Sequence, residues 1–427
     1  MGDHYTKPQT LQKLPGTSAI GHTRYSTSGG SEFRNVQPLF AELDSGGIAI
    51  AHNGNLTNAL TLRRELIANG AICQSSSDTE VVLHLIARSK EKNEEKRFLD
   101  ALKQIEGGYA ILALTSNMLM AARDPVGIRP LIMGELNGKP IFCSETCALD
   151  ILGAKYIRDV KNGEVILCTQ QADGTIQIKE IQPPTQAPER VCIFEYIYFA
   201  RPDSVLSGRS VYEARKNMGS NLAIEAPCDA DIVVPVADGG TPAAIGYAQQ
   251  SGIPFELGIV RNHYVGRTFI EPTQHIRAFG IKLKHSANVA ALSGKRVVLV
   301  DDSIVRGTTS LKIVQLLRDA GASEVHVRVA SPVISYPDFY GIDIPKAGEL
   351  LANKCKTVEE MRQFLHCDSL QFLSVDGIYK AILGCPRNNQ NPQLTDHYFT
   401  GDYPTDLTDA ELKDCLLYTS PSPRDQR

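Results

Sequence analysis

The sequence predicts a chain in two parts, a strand-rich α+β region followed by an α/β region built on a parallel sheet. Three observations predict it. Up to residue 181, short apolar runs alternate with turn residues. Beyond residue 190, a strand, loop, helix, strand unit occurs twice. Between them, residues 182–190 (QPPTQAPER) combine three prolines with polar residues and no hydrophobic period, which reads as an exposed linker.

The elements follow in order. In residues 1–181 the runs at 47–51, 109–114, 119–122, 128–133 and 164–167 are expected strands, while 56–70 and 78–88 show helical spacing. After the linker, residues 231–236 (DIVVPV) read as a buried strand, 237–240 as a glycine-bearing loop, 241–250 as a helix closed by Gly252, and 255–260 as the next strand. The unit repeats as RVVLV at 296–300, a loop at 301–308, a helix over 309–320 closed by Gly321, and a strand over 324–330. Repeated units of this length argue a parallel sheet with flanking helices over residues 191–345, with ligands beyond the carboxyl ends of the strands. Residues 346–414 read as a smaller region, helical and then irregular. Residues 415–425 (CLLYTSPSPRD) back-translate into something like a transposase sequencing adapter, so 415–427 are expected to be an artefact tail without a fold.

Composition narrows the function. A chain of 427 residues, 42% apolar and 22% charged, has room for two or three folded domains. No apolar run approaches the roughly 18 residues of a membrane span, and the first residues have no secretory pattern, so a cytoplasmic protein without membrane contact is expected. A net charge of -4 offers no broad basic field for nucleic acid. The ten cysteines include no CxxC pair and read mostly as buried free thiols.

The strongest string is VVLVDDSIVRGTTS at 297–310. Asp301 and Asp302 stand where an apolar strand leaves its sheet, and such a pair is costly unless it meets hydroxyl donors or a divalent cation. Ser303, Gly307, Thr308, Thr309 and Ser310 then supply hydroxyls, small residues and free N–H groups at a helix start, an anion site. Carboxylates for ribose hydroxyls beside a phosphate loop describe a ribose 5-phosphate pocket. A DD pair alone reads more readily as an Asp turn with an N-cap on the next helix; the whole string is what turns the reading.

This string resembles the phosphoribosyl pyrophosphate (PRPP) motif of type I phosphoribosyltransferases. Residues 261–274 (RNHYVGRTFIEPTQ) and 276–284 (IRAFGIKLK) narrow the resemblance to the glutamine PRPP amidotransferase family. There the first segment is a mobile loop that closes over PRPP, and Arg267, Arg277 and Lys282 or Lys284 match its basic positions. Cations brought in on closure would stabilise departing pyrophosphate and exclude water. Where the family carries an acid and a short hydroxyl residue after the preceding strand, this chain has Asp238, Gly239 and Gly240. Weaker metal or PRPP binding than with a serine at 239 is therefore expected.

GHTRYSTSG (21–29), AHNGNLTN (51–58) and SSSDTE (75–80), with ARDPVGIRPL (122–131) and CSETCAL (143–149), resemble the glutaminase domain of the same family, an N-terminal-nucleophile (Ntn) fold. The resemblance implies that Arg24 holds the α-carboxylate of glutamine and Asp78 its α-ammonium. It also implies that the Asn53 amide and Gly54 N–H form an oxyanion hole. Taken singly, Asn53-Gly54 reads as a hairpin turn and Asp78 as a helix cap.

The implied reaction is glutamine plus PRPP plus water giving 5-phosphoribosylamine, glutamate and pyrophosphate, the first step of purine synthesis. Ammonia would pass between the parts along a shielded path. Implied besides are Mg²⁺ at Asp301 and Asp302, purine nucleotide inhibitors and a homo-oligomer. The family's nucleophile is an amino-terminal cysteine upstream of GHTRYSTSG. No Cys precedes Gly21 here, so residues 1–181 are expected to form a truncated glutaminase domain unable to use glutamine, with ammonia still able to react. A non-catalytic PRPP-binding fragment or regulator is the alternative. Some members hold an iron–sulfur cluster on four cysteines. Cys192, in CIFEYIYFARPDS, sits at one such position, but Asp338 follows Pro337 and DHYFTGDYPT has no cysteine, so no cluster is expected and Cys192 reads as a buried structural thiol.

Overall fold

The computed structural model describes residues 12–13, 16–23, 32–183, 187–261, 285–344 and 346–410. The first unit contains β1 (Leu39–Leu43), β2 (Gly46–Leu56), α1 (Ala59–Ala68), α2 (Thr79–Arg88), α3 (Glu94–Leu102), β3 (Gly107–Thr115), β4 (Met118–Arg123), β5 (Ile132–Leu136), β6 (Lys139–Cys143), α4 (Thr146–Leu152), β7 (Lys155–Asp159), β8 (Val165–Gln170) and β9 (Ile176–Ile181). A six-stranded antiparallel sheet runs β1-β2-β3-β4-β8-β9, and β6-β5-β7 form a second, three-stranded sheet. Alternation in β2 buries Ile48 and Ile50 against α2, whose Val81, Val82, Leu85 and Ile86 fill one helical face.

The expected strand at 128–133 begins later, at Ile132. Asp124 explains the delay: its buried carboxylate accepts the N–H groups of Tyr109, Val126, Ile128 and Arg129 at 2.9–3.2 Å, which folds residues 124–129 into a turn. The expected helix at 56–70 starts only at Ala59, because β2 continues to Leu56 opposite Gly107.

The linker is exposed at Gln182 and at residues 187–189 and half-buried at Pro183 and Arg190, and it is tied down. Asn162 donates to the Ala187 carbonyl at 2.7 Å, and Glu189 pairs with Arg123 at 2.8 Å. Beyond it come β10 (Val191–Cys192), a π-helical turn (Glu195–Phe199), β11 (Val205–Leu206), β12 (Arg209–Ser210), α5 (Val211–Glu225), β13 (Ile232–Pro235), α6 (Thr241–Ser251), β14 (Ile259–Arg261), β15 (His285–Ala287), α7 (Val289–Leu292), β16 (Arg296–Asp301), α8 (Thr308–Asp319) and β17 (Glu324–Val329). After these lie α9 (Leu351–Lys354), α10 (Val358–Leu365), β18 (Ser369–Phe372), α11 (Val375–Leu383), β19 (Leu394–Thr395) and α12 (His397–Thr400).

The central sheet is parallel, in the order β13-β16-β17-β18. Gly252 and Gly321 close their helices at φ +75° and +90°. Two expectations change. Residues 255–260 supply only one bridge, Val233 with Phe255, before β14 turns away to pair antiparallel with β15; a turn at Gly258, whose N–H meets the Glu256 carbonyl at 3.0 Å, redirects the chain. The region after 346 contributes β18 to the central sheet, packs α11 on α5, and pairs β19 with β10. It is part of the second unit's architecture. The tail beyond 410 lies outside the described residues.

Candidate functional site

The carboxyl end of β16 carries the acid pair. Asp301 is the last strand residue, and both it and Asp302 are buried. Asp301 accepts the Asp302 N–H at 3.0 Å, and Asp302 accepts the Ser303 hydroxyl at 2.7 Å. Burial, and then the charge of Asp302, push the Asp301 carboxyl well above the usual range. Burial also raises Asp302, to about 6, against the opposing pull of the Ser303 hydroxyl and the Arg215 cation. Two adjacent carboxylates under this strain suit a cation or hydroxyl ligands.

The chain from Ser303 to Gly307 then bends into α8. Gly307 precedes the helix at φ +75°, where an L side chain is strained; Thr308 and Thr309 are exposed at the first turn and Ser310 is buried. The loop before α6 closes the other side. A Cβ at Gly240 would lie 2.5 Å from the Val300 carbonyl oxygen, and one at Gly239 would lie 1.9 Å from Asp302 Oδ2. The space expected to miss a hydroxyl is thus taken by the Asp302 carboxylate, and a serine there requires that carboxylate to swing aside. Asp238 pairs with Arg261. Arg267, Arg277, Lys282 and Lys284 lie outside the described residues, as does Arg24.

In the first unit, β2 carries Asn53 and Gly54 opposite Ala110 and Tyr109. Gly54 sits at φ +132°, and a Cβ there would come within 2.1 Å of the Gly108 carbonyl oxygen. Asn53 Oδ1 accepts from Arg129 Nη2 at 3.1 Å, while its Nδ2 has Ser144 Oγ at 3.5 Å. Behind it His52 is buried, with Nδ1 3.2 Å from Thr79 Oγ1 and its N–H donated to Gln37 Oε1.

Asp78 caps α2. Its carboxylate accepts the N–H groups of Thr79 (2.9 Å) and Leu56 (3.0 Å), so it ties the helix to the end of β2. The loop before it is folded by Glu80, which accepts from Gln74 N, Ser75 N, Ser75 Oγ and Arg63. Cys73 lies 3.9 Å from His84 Nε2, and burial raises its thiol, opposite to the shift of an activated nucleophile.

The two units meet at Gly54. Asn55 Nδ2 donates to the Phe339 carbonyl at 2.8 Å, and a Cβ at Gly341 would lie 2.9 Å from the Gly54 backbone. Cys192 is fully buried with Sγ 3.2 Å from the Tyr398 hydroxyl; burial and then the Glu195 charge push its thiol up to about 12. Asp338 accepts from His397 Nε2 at 3.1 Å and from the N–H groups of Tyr340 and Ile342. Sequence reading missed Arg129, Glu195 and Arg215, since a buried ion pair between distant segments leaves no local pattern.

Residues 22–150 match the glutamine amidotransferase domain family, and residues 214–333 match the phosphoribosyl transferase domain family. An amidophosphoribosyltransferase of Rhizobium etli is 70% identical over 409 residues, 96% of this chain and 82% of the relative. One of Bacillus subtilis is 46% identical, with 93% and 82% covered. Among solved structures, B. subtilis glutamine PRPP amidotransferase complexed with ADP and GMP superposes with a TM-score of 0.82 at 45% identity, over 90% of this chain and 83% of that one.

Proposed function

Since the chain belongs to the amidophosphoribosyltransferase family, whose reaction opens purine synthesis, we propose that its two sites divide that reaction between them. The first unit presents Asn53 Nδ2 and the Gly54 N–H to the oxygen of a glutamine amide as it becomes tetrahedral under attack by the family's nucleophilic cysteine; one such donor is typically worth about 2.7–4 kcal/mol. That cysteine is not found before Gly21 in this sequence, so ammonia is the nitrogen source expected to react here. Arg24 and Asp78 hold the two ends of glutamine. The second unit binds PRPP through Asp301 and Asp302 at the ribose and through Ser303, Gly307, Thr308, Thr309 and Ser310 at the 5-phosphate. Arg267, Arg277 and Lys282 close over the pyrophosphate. The observation that carries this reading is the buried acid pair at the end of β16, with the start of α8 directly after it.

Mg²⁺ fits the pair. An ion of this kind is kept mainly by water and substrate phosphates with one or two carboxylates, which the two adjacent buried acids can supply. Asp301 and Asp302 would hold it, and it would neutralise charge on the leaving pyrophosphate. An iron–sulfur cluster does not suit this place, where Cys192 Sγ contacts the Tyr398 hydroxyl and Asp338 is tied to His397 and to the N–H groups of Tyr340 and Ile342. Purine nucleotides as inhibitors are supported by the relative complexed with ADP and GMP; a homo-oligomer is proposed on the family resemblance alone. A cytoplasmic location is part of the same proposal; among the described residues, no helix is long and apolar enough to cross a membrane.

The test is PRPP-dependent pyrophosphate release driven by ammonium salts at alkaline pH, which bypasses the first unit. Asp301→Asn and Asp302→Asn should each lower it on the order of a hundredfold or more without lowering the melting temperature, since each removes a carboxylate that burial disfavours. Rates near the parent's in both variants would remove the assignment.

A further inference from the structure

Arg129 stands between the two sites, and nothing in the reaction as described gives it a task. It is fully buried, on the turn that Asp124 folds, and its own carbonyl accepts from Arg123 Nε at 2.8 Å. Its Nη2 lies 3.1 Å from Asn53 Oδ1 and 3.1 Å from Glu195 Oε1, and its guanidinium carbon lies 5.2 Å from the Phe199 ring centroid. Glu195 and Phe199 belong to the π-helical turn of the second unit. That turn is clamped from behind by Arg215 of α5, which donates to the carbonyls of Tyr196 and Ala200 at 2.7 Å each.

The chemistry of the contact decides the orientation of Asn53. A guanidinium has only donors, so the amide end facing it must be the oxygen. The NH₂ end is thereby turned the other way, with only a 3.5 Å contact to Ser144 Oγ. A wrongly turned amide would present an acceptor where negative charge develops. The ion pair behind it has little value as a stabiliser: two buried charges roughly break even against apolar packing of the same volume, whereas breaking one is costly. Such a pair is better explained by what it fixes in place.

We propose that Arg129 is a positioning residue which sets the Asn53 amide with its N–H groups toward the reacting oxygen, and that Glu195, supplied by the second unit, holds Arg129 in that place. The oxyanion hole of one unit is then completed by a side chain of the other. This rests on the reading of Asn53 as an oxyanion donor and adds to it the device that orients it.

The experiment reads the amide itself. In protein labelled with ¹⁵N-asparagine, the Asn53 side-chain NH₂ signal is assigned by its loss in Asn53→Asp. In Glu195→Gln that signal should move and its exchange with water should speed up roughly tenfold, as a held hydrogen-bond acceptor is loosened. Arg129→Lys, which keeps the charge without a donor at the Nη2 position, should do the same. Ammonia-driven pyrophosphate release should stay within about threefold of the parent in Glu195→Gln, because the acid pair is untouched. An Asn53 signal unchanged in both variants overturns the proposal. Absence of ammonia-driven release from the parent would instead undo the proposed function, while the amide signal still reports on orientation.

Discussion

Gly54 shows how tightly one residue of the site is specified. It combines φ +132° with a Cβ position 2.1 Å from a backbone oxygen, so neither the torsion nor the space admits a side chain. Gly54→Ala should cost roughly 2–4 kcal/mol, because the strand pairing with Gly108 must open to admit the methyl. Urea denaturation would check it, and a midpoint equal to the parent's would contradict the close approach. At this scale the motifs pick out Asn53 with Gly54 and Asp301 with Asp302, and the structure places the first pair in β2 and the second at the carboxyl end of β16. Gly239 shows where the sequence was not readable: comparison with the family's pattern suggested a missing hydroxyl, but only the folded chain shows Asp302 Oδ2 occupying that space.

Among the elements, α1 owes its start to a residue far along the chain. Asp409 accepts the N–H groups of Leu60 (2.6 Å) and Thr61 (3.1 Å) and the Thr61 hydroxyl (2.7 Å), while its own N–H meets the Thr57 carbonyl at 2.9 Å. It serves as the helix cap that Asn58 does not provide. Asp409→Ala should cost about 1–2 kcal/mol, in the range of a lost N-cap. Hydrogen exchange would speed up at Leu60 and Thr61 first, and protection unchanged there would show that water replaces the carboxylate at no cost. Elements were legible where period and punctuation agreed, as in β13, α6, β16 and α8. They were misjudged where distant partners decide: β2 extends because Gly107 pairs with Leu56, the run at 128–133 is consumed by a turn around Asp124, and residues 255–260 lose their place in the sheet at Gly258. No pattern within those segments signals such partners.

At the scale of the whole molecule the two units share a core. Val126, Ile128, Ile132 and Leu149 of the first unit pack in one cluster with Cys192, Phe194, Tyr340 and Tyr398 of the second. Ile128 is central: it is fully buried, and both its Cγ2 and Tyr340 Cβ lie within 3.2 Å of where a Cβ at Gly108 would stand. Polar ties reinforce the junction, with Glu145 accepting from Arg201 N at 2.7 Å and Ser204 Oγ at 2.8 Å. The linker composition suggested two regions divided by an exposed linker, yet apolar residues from both sides bury one another across the boundary. Units with so much common core should lose it together. Ile128→Ala removes apolar atoms from both at once and should cost about 2–5 kcal/mol, the range for a large-to-small change in a core that collapses only partly. Calorimetry should therefore show one cooperative transition in the parent and one, at lower temperature, in the variant, with calorimetric and van't Hoff enthalpies in agreement. Two resolved transitions in Ile128→Ala, one of them at the parent's temperature, would mean that each unit is stable without the other and that the shared cluster is contact without coupling.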